Sequence, residues 1–237
     1  MSTSSLDPIY LNKATAAFIS MLESGRSPNG VRYALTRAPR RATIVSRQTI
    51  DVATMTATNF RKAMFLENDE VVAGSLVPSG TALTPEPRLV SGQASPSDVA
   101  FGIMAHQWGF DSQRFYGATP AATAVNSVFG VISQASALIE QGGATVEGPL
   151  SCQESLLGEP GSRVSLGTVA GELLSGIENP NNYAYEPQPI VIPPTSTLSP
   201  FIKFDGSQFA SRSPAVDTNF VLFWKLETLV CNVRPLA

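Results

Sequence analysis

The sequence predicts a mainly β protein: an antiparallel β-sandwich (jelly roll) with an N-terminal helix and one inserted helix. Three observations lead there. Most segments with strand character are short, rich in Val, Ile, Thr and Phe, and bounded by Pro and Gly clusters. Only two segments carry a helical period. The strand–helix–strand alternation that a parallel sheet needs is missing. Residues 1–40 read as an N-terminal helix and basic arm, and residues 41–237 as the jelly-roll domain.

The first helix starts at Asp7-Pro8, where an N-cap acceptor precedes a proline suited to the first helical position. Leu11, Ala14, Phe18, Met21 and Leu22 recur at helical spacing, and Gly25 closes the element. Strand signals follow over Ala42–Val52, Asn59–Leu66 and Glu70–Val77, the last ending at the turn cluster Pro78-Ser79-Gly80. Residues 78–97 hold four prolines and read as a long loop. Asp98–Phe110 is a long apolar strand containing His106 and Trp108.

The second helix is expected after the cap Thr119-Pro120, with Val125, Val128, Phe129, Ile132, Ala135 and Ile139 on one face and Gly142-Gly143 as its end. Pro189–Pro193 is a short apolar strand, Leu198–Phe204 another, and Asp205-Gly206 a hairpin-type turn. Phe220–Val233 is expected to be a central, buried strand, with Trp224, Leu226 and Thr228 on one face and Lys225 and Glu227 on the other.

Hydrophobic residues make up 43% of the 237-residue chain, ample for a core, but charged residues only 15%, against about a quarter in ordinary soluble domains. A surface so sparing of charge, and rich in Ser, Thr, Ala, Pro and Gly, is suited to being covered by partners. No secretory signal is evident at the N-terminus, and no apolar run is long enough to span a bilayer as a helix. The two cysteines, Cys152 and Cys231, neither build a disulfide framework nor supply a zinc site; buried free thiols are the expectation.

Charge is unevenly placed. Between Arg26 and Lys62 lie eight basic residues (half of the 16 in the chain) and one acid, Asp51. Between Glu140 and Glu186 lie seven glutamates and one basic residue, Arg163. Complementarity between subunits and balance within one chain both account for this. A stretch so basic repels itself unless something negative lies against it. Arginine forks pair with phosphate oxygens, and Arg32, Arg37, Arg40, Arg41 and Arg47 are the candidate nucleic-acid or anion contacts. The alternation Arg41, Thr43, Val45, Arg47 puts two guanidiniums on one strand face, aimed at a single anionic partner. The net charge of −3 keeps any such contact local.

Catalytic constellations are not evident. The single histidine, His106, sits among Phe101, Ile103, Met104 and Trp108, a setting that favours a core or interface role over that of a base for a cysteine nucleophile. The acids Glu67, Asp69 and Glu70 read as a solvated turn, since the glycine and closing glutamate of a calcium loop are missing. Phosphate-cradling glycine loops and the GxSxG elbow do not occur. No cofactor and no enzymatic activity are expected.

The C-terminal fifth resembles the close of jelly-roll capsid proteins from small icosahedral viruses, including tailless phages. Pro189-Ile190-Val191-Ile192-Pro193-Pro194-Thr195-Ser196-Thr197-Leu198 resembles the proline-flanked strand before their final hairpins. Asn219-Phe220-Val221-Leu222-Phe223-Trp224, running to Val233-Arg234-Pro235-Leu236, resembles their terminal strand. The arginine segment occupies the place where many such coats carry a genome-facing arm, although the first 25 residues hold only Lys13 as a basic group. The resemblance implies a structural virion protein, assembled in the host cytoplasm into an icosahedral shell, with 41–237 as the shell domain. Its partners would be many copies of itself, other capsid proteins, and viral nucleic acid or an inner membrane surface. The rival expectation is a β-sandwich module recognising carbohydrate or a cell surface, with Trp108, Phe110, Phe115 and Tyr116, or Tyr183 and Tyr185, as an aromatic platform.

Overall fold

A computed structural model describes residues 8–51, 58–66, 89–116, 134–142, 144–151, 165–166, 173–174, 184–207 and 219–236. Among them are one helix and two main antiparallel sheets that share one apolar core.

Helix α1 (Pro8–Ser24) begins at the expected proline and turns Ala14, Phe18 and Leu22 inward. It ends as the sequence indicates: Gly25 adopts φ 73°, and the Arg26 amide donates to the Met21 carbonyl at 3.1 Å, the two marks of a glycine-capped C-terminus. Next come β1 (Tyr33–Leu35), β2 (Arg40–Asp51), β3 (Phe60–Ala63) and β4 (Val99–Tyr116). The hairpin β5 (Ser136–Gln141) and β6 (Ala144–Ser151) leads to a small ribbon, β7 (Ser165–Leu166) with β8 (Leu173–Leu174). The chain closes with β9 (Ala184–Ile192), β10 (Leu198–Phe204) and β11 (Asn219–Pro235).

The first sheet runs β1-β11-β4-β9, with β2 continuing β1 along the same edge of β11; the second runs β3-β10-β5-β6. Setting the small strands aside, the pairings are nested. The β2 strand pairs with β11, β3 with β10, β4 with β9, and β5 with β6, all antiparallel. The chain therefore behaves as one long ribbon folded back on itself at the β5–β6 turn, its two arms alternating between sheets.

The core between the sheets takes Ile44, Phe101, Ile103, Leu222, Trp224 and Leu226 from the first sheet and Ala137, Ile139, Leu198, Ile202 and Phe204 from the second. The outer face of the first sheet is also covered. Phe18 and Leu22 of α1 lie there with Tyr33, Ala100, Met104, Leu229, Cys231 and Val233. Helix and sheet approach so closely that Gly102 has no room for a side chain: a Cβ there would stand 2.6 Å from Phe18 Cδ2. Cys231 is a free, buried thiol, raised by burial to a pKa of about 11; it donates to the Arg37 carbonyl at 3.2 Å.

Two expectations are corrected. The C-terminal end of the second helix, Ala135 to Gly142, is not helical, and one helix, not two, stands among the described residues. Ala135, Ala137 and Ile139 are all buried, and they also satisfy a period of two, which pairing with β10 and β6 selects. Gln141 pairs with Ala144, and Gly142 turns the chain after it with φ 58°, a hairpin conformation rather than a helix stop. The second correction is Glu227. Expected on a polar face, it is fully buried, because β11 is covered on both sides.

The expected strands Ala42–Val52, Asn59–Leu66, Asp98–Phe110, Leu198–Phe204 and Phe220–Val233 coincide with β2, β3, β4, β10 and β11 within a few residues at their ends. Pro189–Pro193 is the last part of β9. A turn is present at Asp205-Gly206, with Asp205 Oδ1 accepting from the Ser207 amide at 3.1 Å, but it does not make the expected hairpin, because β10 and β11 belong to different sheets. The Glu70–Val77 strand, most of the 78–97 loop, the 67–70 acids, Cys152, Arg163, Tyr183 and the start of the second helix lie outside the described residues.

Substituting Gly102→Ala is expected to cost about 1–3 kcal/mol by overpacking, read as a lower urea midpoint. Combining it with Phe18→Leu should recover part of that loss; a double variant no better than the sum of the two singles would mean that the helix does not rest on Gly102.

Candidate anion-binding edge and polar cleft

Among the described residues, one edge of the first sheet is built by a chain that leaves α1, forms β1 against the end of β11, and re-enters the sheet as β2 after a break at Thr36–Pro39. Pro39 has no amide to donate, so the edge strand interrupts there and restarts. Arg26, Arg32, Arg37 and Arg40 are exposed along this path. The β1–β11 register adds Arg234, exposed and opposite Ala34. Arg32 is oriented from behind: its Nε donates to the Glu23 carbonyl at the end of α1, 2.9 Å away, a cation on the negative end of a helix dipole.

The other two expected arginines do not join this group. Arg41 has its anion within the chain: Nε lies 3.0 Å from Glu227 Oε2, while the Thr43 hydroxyl donates to Glu227 Oε1 at 2.9 Å. Only the Arg41 end of this strand face meets its anion inside the chain, in a carboxylate with no exposure, while the Arg41 side chain is 30% exposed. Arg47 lies six residues further along β2, opposite Phe223, roughly 20 Å from Arg41 at strand rise. Sequence reasoning missed Arg234. It is some 200 positions away in the chain, and only the pairing of β1 with β11 brings it in.

On the second sheet, Arg61 stacks 3.5 Å from the centre of the Phe201 ring and pairs with Glu140 at 2.9 Å. Part of the basic segment is therefore balanced within the chain by a glutamate of the acidic region.

His106 is 2% exposed on β4. Burial holds its pKa down at about 4, so the ring is neutral at physiological pH even though Glu186 Oε1 stands 3.7 Å from Nε2. Between Ile103 and Ala105 of β4 the partner strand runs from Ile190 to Tyr185, so Glu186-Pro187-Gln188-Pro189 bulge out against Met104 alone; the two prolines have no ladder amide to lose. The Tyr10 hydroxyl spans this bulge, donating to the Glu186 carbonyl at 2.8 Å and approaching the Met104 carbonyl. Burial, with the charge of Glu186 second, pushes the Tyr10 pKa up to about 12.

A cleft of about 290 Å³ opens where the β5–β6 turn meets the β9–β10 loop. Asn29, Gln141, Thr195, Ser196 and Thr197 line it, and none of the described residues that line it is charged. Thr195 holds φ 60°, a strained conformation for a β-branched residue. The Ser95 main chain and hydroxyl hold the loop in place, bonding the amides of Thr195 and Ser196. Of the expected aromatic platform, Tyr185 is 41% exposed and packs edge-on to Tyr10 at 4.7 Å. Trp108 and Phe110 occupy strand positions opposite Trp224 and Leu222, and Phe115 and Tyr116 end β4.

Among the described residues no group of His, Cys, Asp and Glu is placed to hold a metal ion, and no helix is long and apolar enough to cross a membrane. No family model, no curated protein and no solved structure matches this chain.

Removing the Arg41 guanidinium as Arg41→Met leaves Glu227 buried without its cation and is expected to cost about 3 kcal/mol, the low end for a broken buried pair because the guanidinium is partly solvated; a urea midpoint within error of the parent would contradict it. The His106 titration has a definite sign. The unfolded ring takes up a proton near pH 6.5 and the folded ring only near 4. Stability is therefore lost as pH falls between those values and is level below them, by up to about 3 kcal/mol. His106→Gln should remove that part of the slope, measured as the difference between the two proteins' denaturation midpoints at neutral pH and near pH 4.

Proposed function

We propose that this chain is a structural subunit of an icosahedral virion shell, folded as a jelly roll. One observation supports this above the others: the nested strand order. Taken as eight strands, β2-β11-β4-β9 faces β3-β10-β5-β6, the order of first-last-third-sixth against second-seventh-fourth-fifth that two interlocked Greek keys produce. Such eight-stranded double sheets serve in viral shells, in lectins and in small-molecule enzymes, so the choice among them comes from the surface.

That surface favours packing against other chains. Helix α1 lies outside the sandwich, and its 17 residues contain two charged ones, Lys13 and Glu23. Ile9 is 66% exposed at its start, and Ala16, Ile19 and Ser20 border a shallow groove on its outer side. Glu23 and Ser24 close the groove at one end; the rest of this face, small and apolar, has little desolvation cost when a neighbour covers it. The many weak contacts of a closed shell then act together. The exposed arginine edge from Arg26 to Arg40, with Arg234, gives the subunit one locally positive rim, which suits nucleic acid, an anionic membrane surface or an acidic patch on a neighbouring subunit.

Sedimentation velocity and electron microscopy of the purified chain test the assembly reading. Particles or closed rings are expected at some salt concentration; a monomer at every concentration and salt would contradict it. Replacing Arg37 and Arg234 together by Ser should weaken heparin retention while Arg47→Ser should not; equal losses would mean that the charge acts diffusely rather than at this edge.

The alternative is a carbohydrate-binding module, and the uncharged cleft at Asn29, Gln141 and Thr195–Thr197 is the observation that favours it. Hydroxyls and side-chain amides both donate and accept, as sugar hydroxyls require. Glycan-array binding abolished by Thr197→Val, in a chain that still folds and does not assemble, would select this reading over the first.

A further inference from the structure

Three polar side chains sealed in the core between the sheets carry atoms that no hydrogen bond satisfies. Gln48 on β2 is fully buried, with neither Oε1 nor Nε2 bonded. Trp224 on β11 is fully buried with Nε1 unbonded. His106 on β4 is 2% exposed with Nδ1 unbonded. The three strands are neighbours, and the register sets the residues in line. Gln48 is opposite Leu222, two positions before Trp224, and His106 is opposite Leu226, two positions after it. The line runs diagonally across the sheet, with the His106 and Trp224 ring centres 6.3 Å apart. Ser46, opposite Trp224, accepts the Phe65 amide at 2.8 Å, and the Phe65 ring meets Trp224 edge-on.

We propose that this diagonal is an internal binding site for a small neutral molecule that both donates and accepts hydrogen bonds: ordered water, or an organic molecule of the same character. Buried donors and acceptors in folded proteins are nearly always satisfied, and water is the usual agent where the protein supplies no partner. The groups present restrict the occupant further. The Trp224 indole only donates, so the occupant accepts. Neutral His106 turns Nε2 toward the Glu186 carboxylate at 3.7 Å, longer than a hydrogen bond; we assign the ring proton to that nitrogen because it faces the negative charge, which leaves Nδ1 to accept, so the occupant donates. A metal cation cannot accept from the indole, a simple anion cannot donate to Nδ1, and an apolar molecule satisfies neither. The Gln48 amide, with one group of each kind, binds such an occupant from the other end. Once bridged, the line runs from Gln48 through Trp224 and His106 to Glu186, whose carbonyl holds Tyr10 of the helix. It joins β2, β11, β4, β9 and α1.

A density map of the unmodified protein, at a resolution that shows ordered water, is the primary test. Density within hydrogen-bonding distance of Trp224 Nε1 and of either Gln48 or His106 is expected. Native mass spectrometry then separates the two sources: a bound organic molecule adds a discrete mass, and water does not survive. An empty space, an ion or an apolar molecule at this position would overturn the proposal. Gln48→Leu gives the solution test. It preserves bulk and removes the amide, so an occupied site loses a partner and the melting temperature falls, whereas an empty core loses an unpartnered amide and the melting temperature holds or rises. Should that variant fail to fold, transfer of magnetisation from water to the Trp224 indole proton in the unmodified chain decides the matter, with Trp108→Phe identifying the resonance. Transfer supports the site, and its absence, with no added mass, overturns it.

Discussion

The fold depends on β11. This last strand pairs with β2 over 12 positions on one side and with β4 on the other, and it is covered on both faces. Leu222, Trp224, Leu226 and Val230 point into the core between the sheets; Leu229, Cys231 and Val233 lie under the helix. A strand buried this way reads as a near-continuous apolar run because neither face is left for polar residues. Its pairing with β2 closes a loop of nearly the whole chain, a costly contact in chain entropy, and the nested pairs inside it are shorter-range versions of the same closure. The β5–β6 hairpin is the most local of them. A topology of such long-range pairings places this protein among slow folders.

Burial of both faces also sets the electrostatics. A glutamate at position 227 cannot reach solvent, so Arg41 and Thr43 on the neighbouring strand supply its partners. One arginine of the basic segment is therefore structural, and Arg61 is balanced by Glu140 across the second sheet. What remains as an outward-facing positive rim is set by the strand break at Thr36–Pro39 and the register of β1 with β11, with Arg234 added from the other end of the chain. The imbalance visible along the sequence is thus partly neutralised by folding and partly concentrated at one edge. The same burial keeps His106 neutral at physiological pH, which suits a core position better than proton transfer at a surface site.

Much of the fold is legible in the sequence wherever a residue's neighbours in the chain decide its conformation. Proline at the start and glycine at the end bound α1, because those residues act through their own backbone angles. The apolar runs of β10 and β11 are visible because burial on both faces demands them. Arg32, Arg37 and Arg40 could be marked as surface cations from local charge density alone. The residues from Ala135 to Gln141 could not be assigned in this way. Their apolar positions fit a helix and a strand equally, and Gly-Gly ends the one as readily as it turns the other.

What the sequence alone determined is the all-antiparallel β character, the helix with both its ends, the central strand and the local excess of arginine, since each follows from side-chain chemistry and short-range geometry. Packing between distant segments supplied the rest. It made the 135–141 segment a strand, because β10 offered a ladder of hydrogen bonds. It turned Glu227 from a surface group into the buried partner of Arg41, because the β2–β11 register sets it beside Thr43 with Arg41 in reach. It set Gln48, Trp224 and His106 in one line, because register between strands is fixed by packing across the sandwich and not by residues adjacent in the chain.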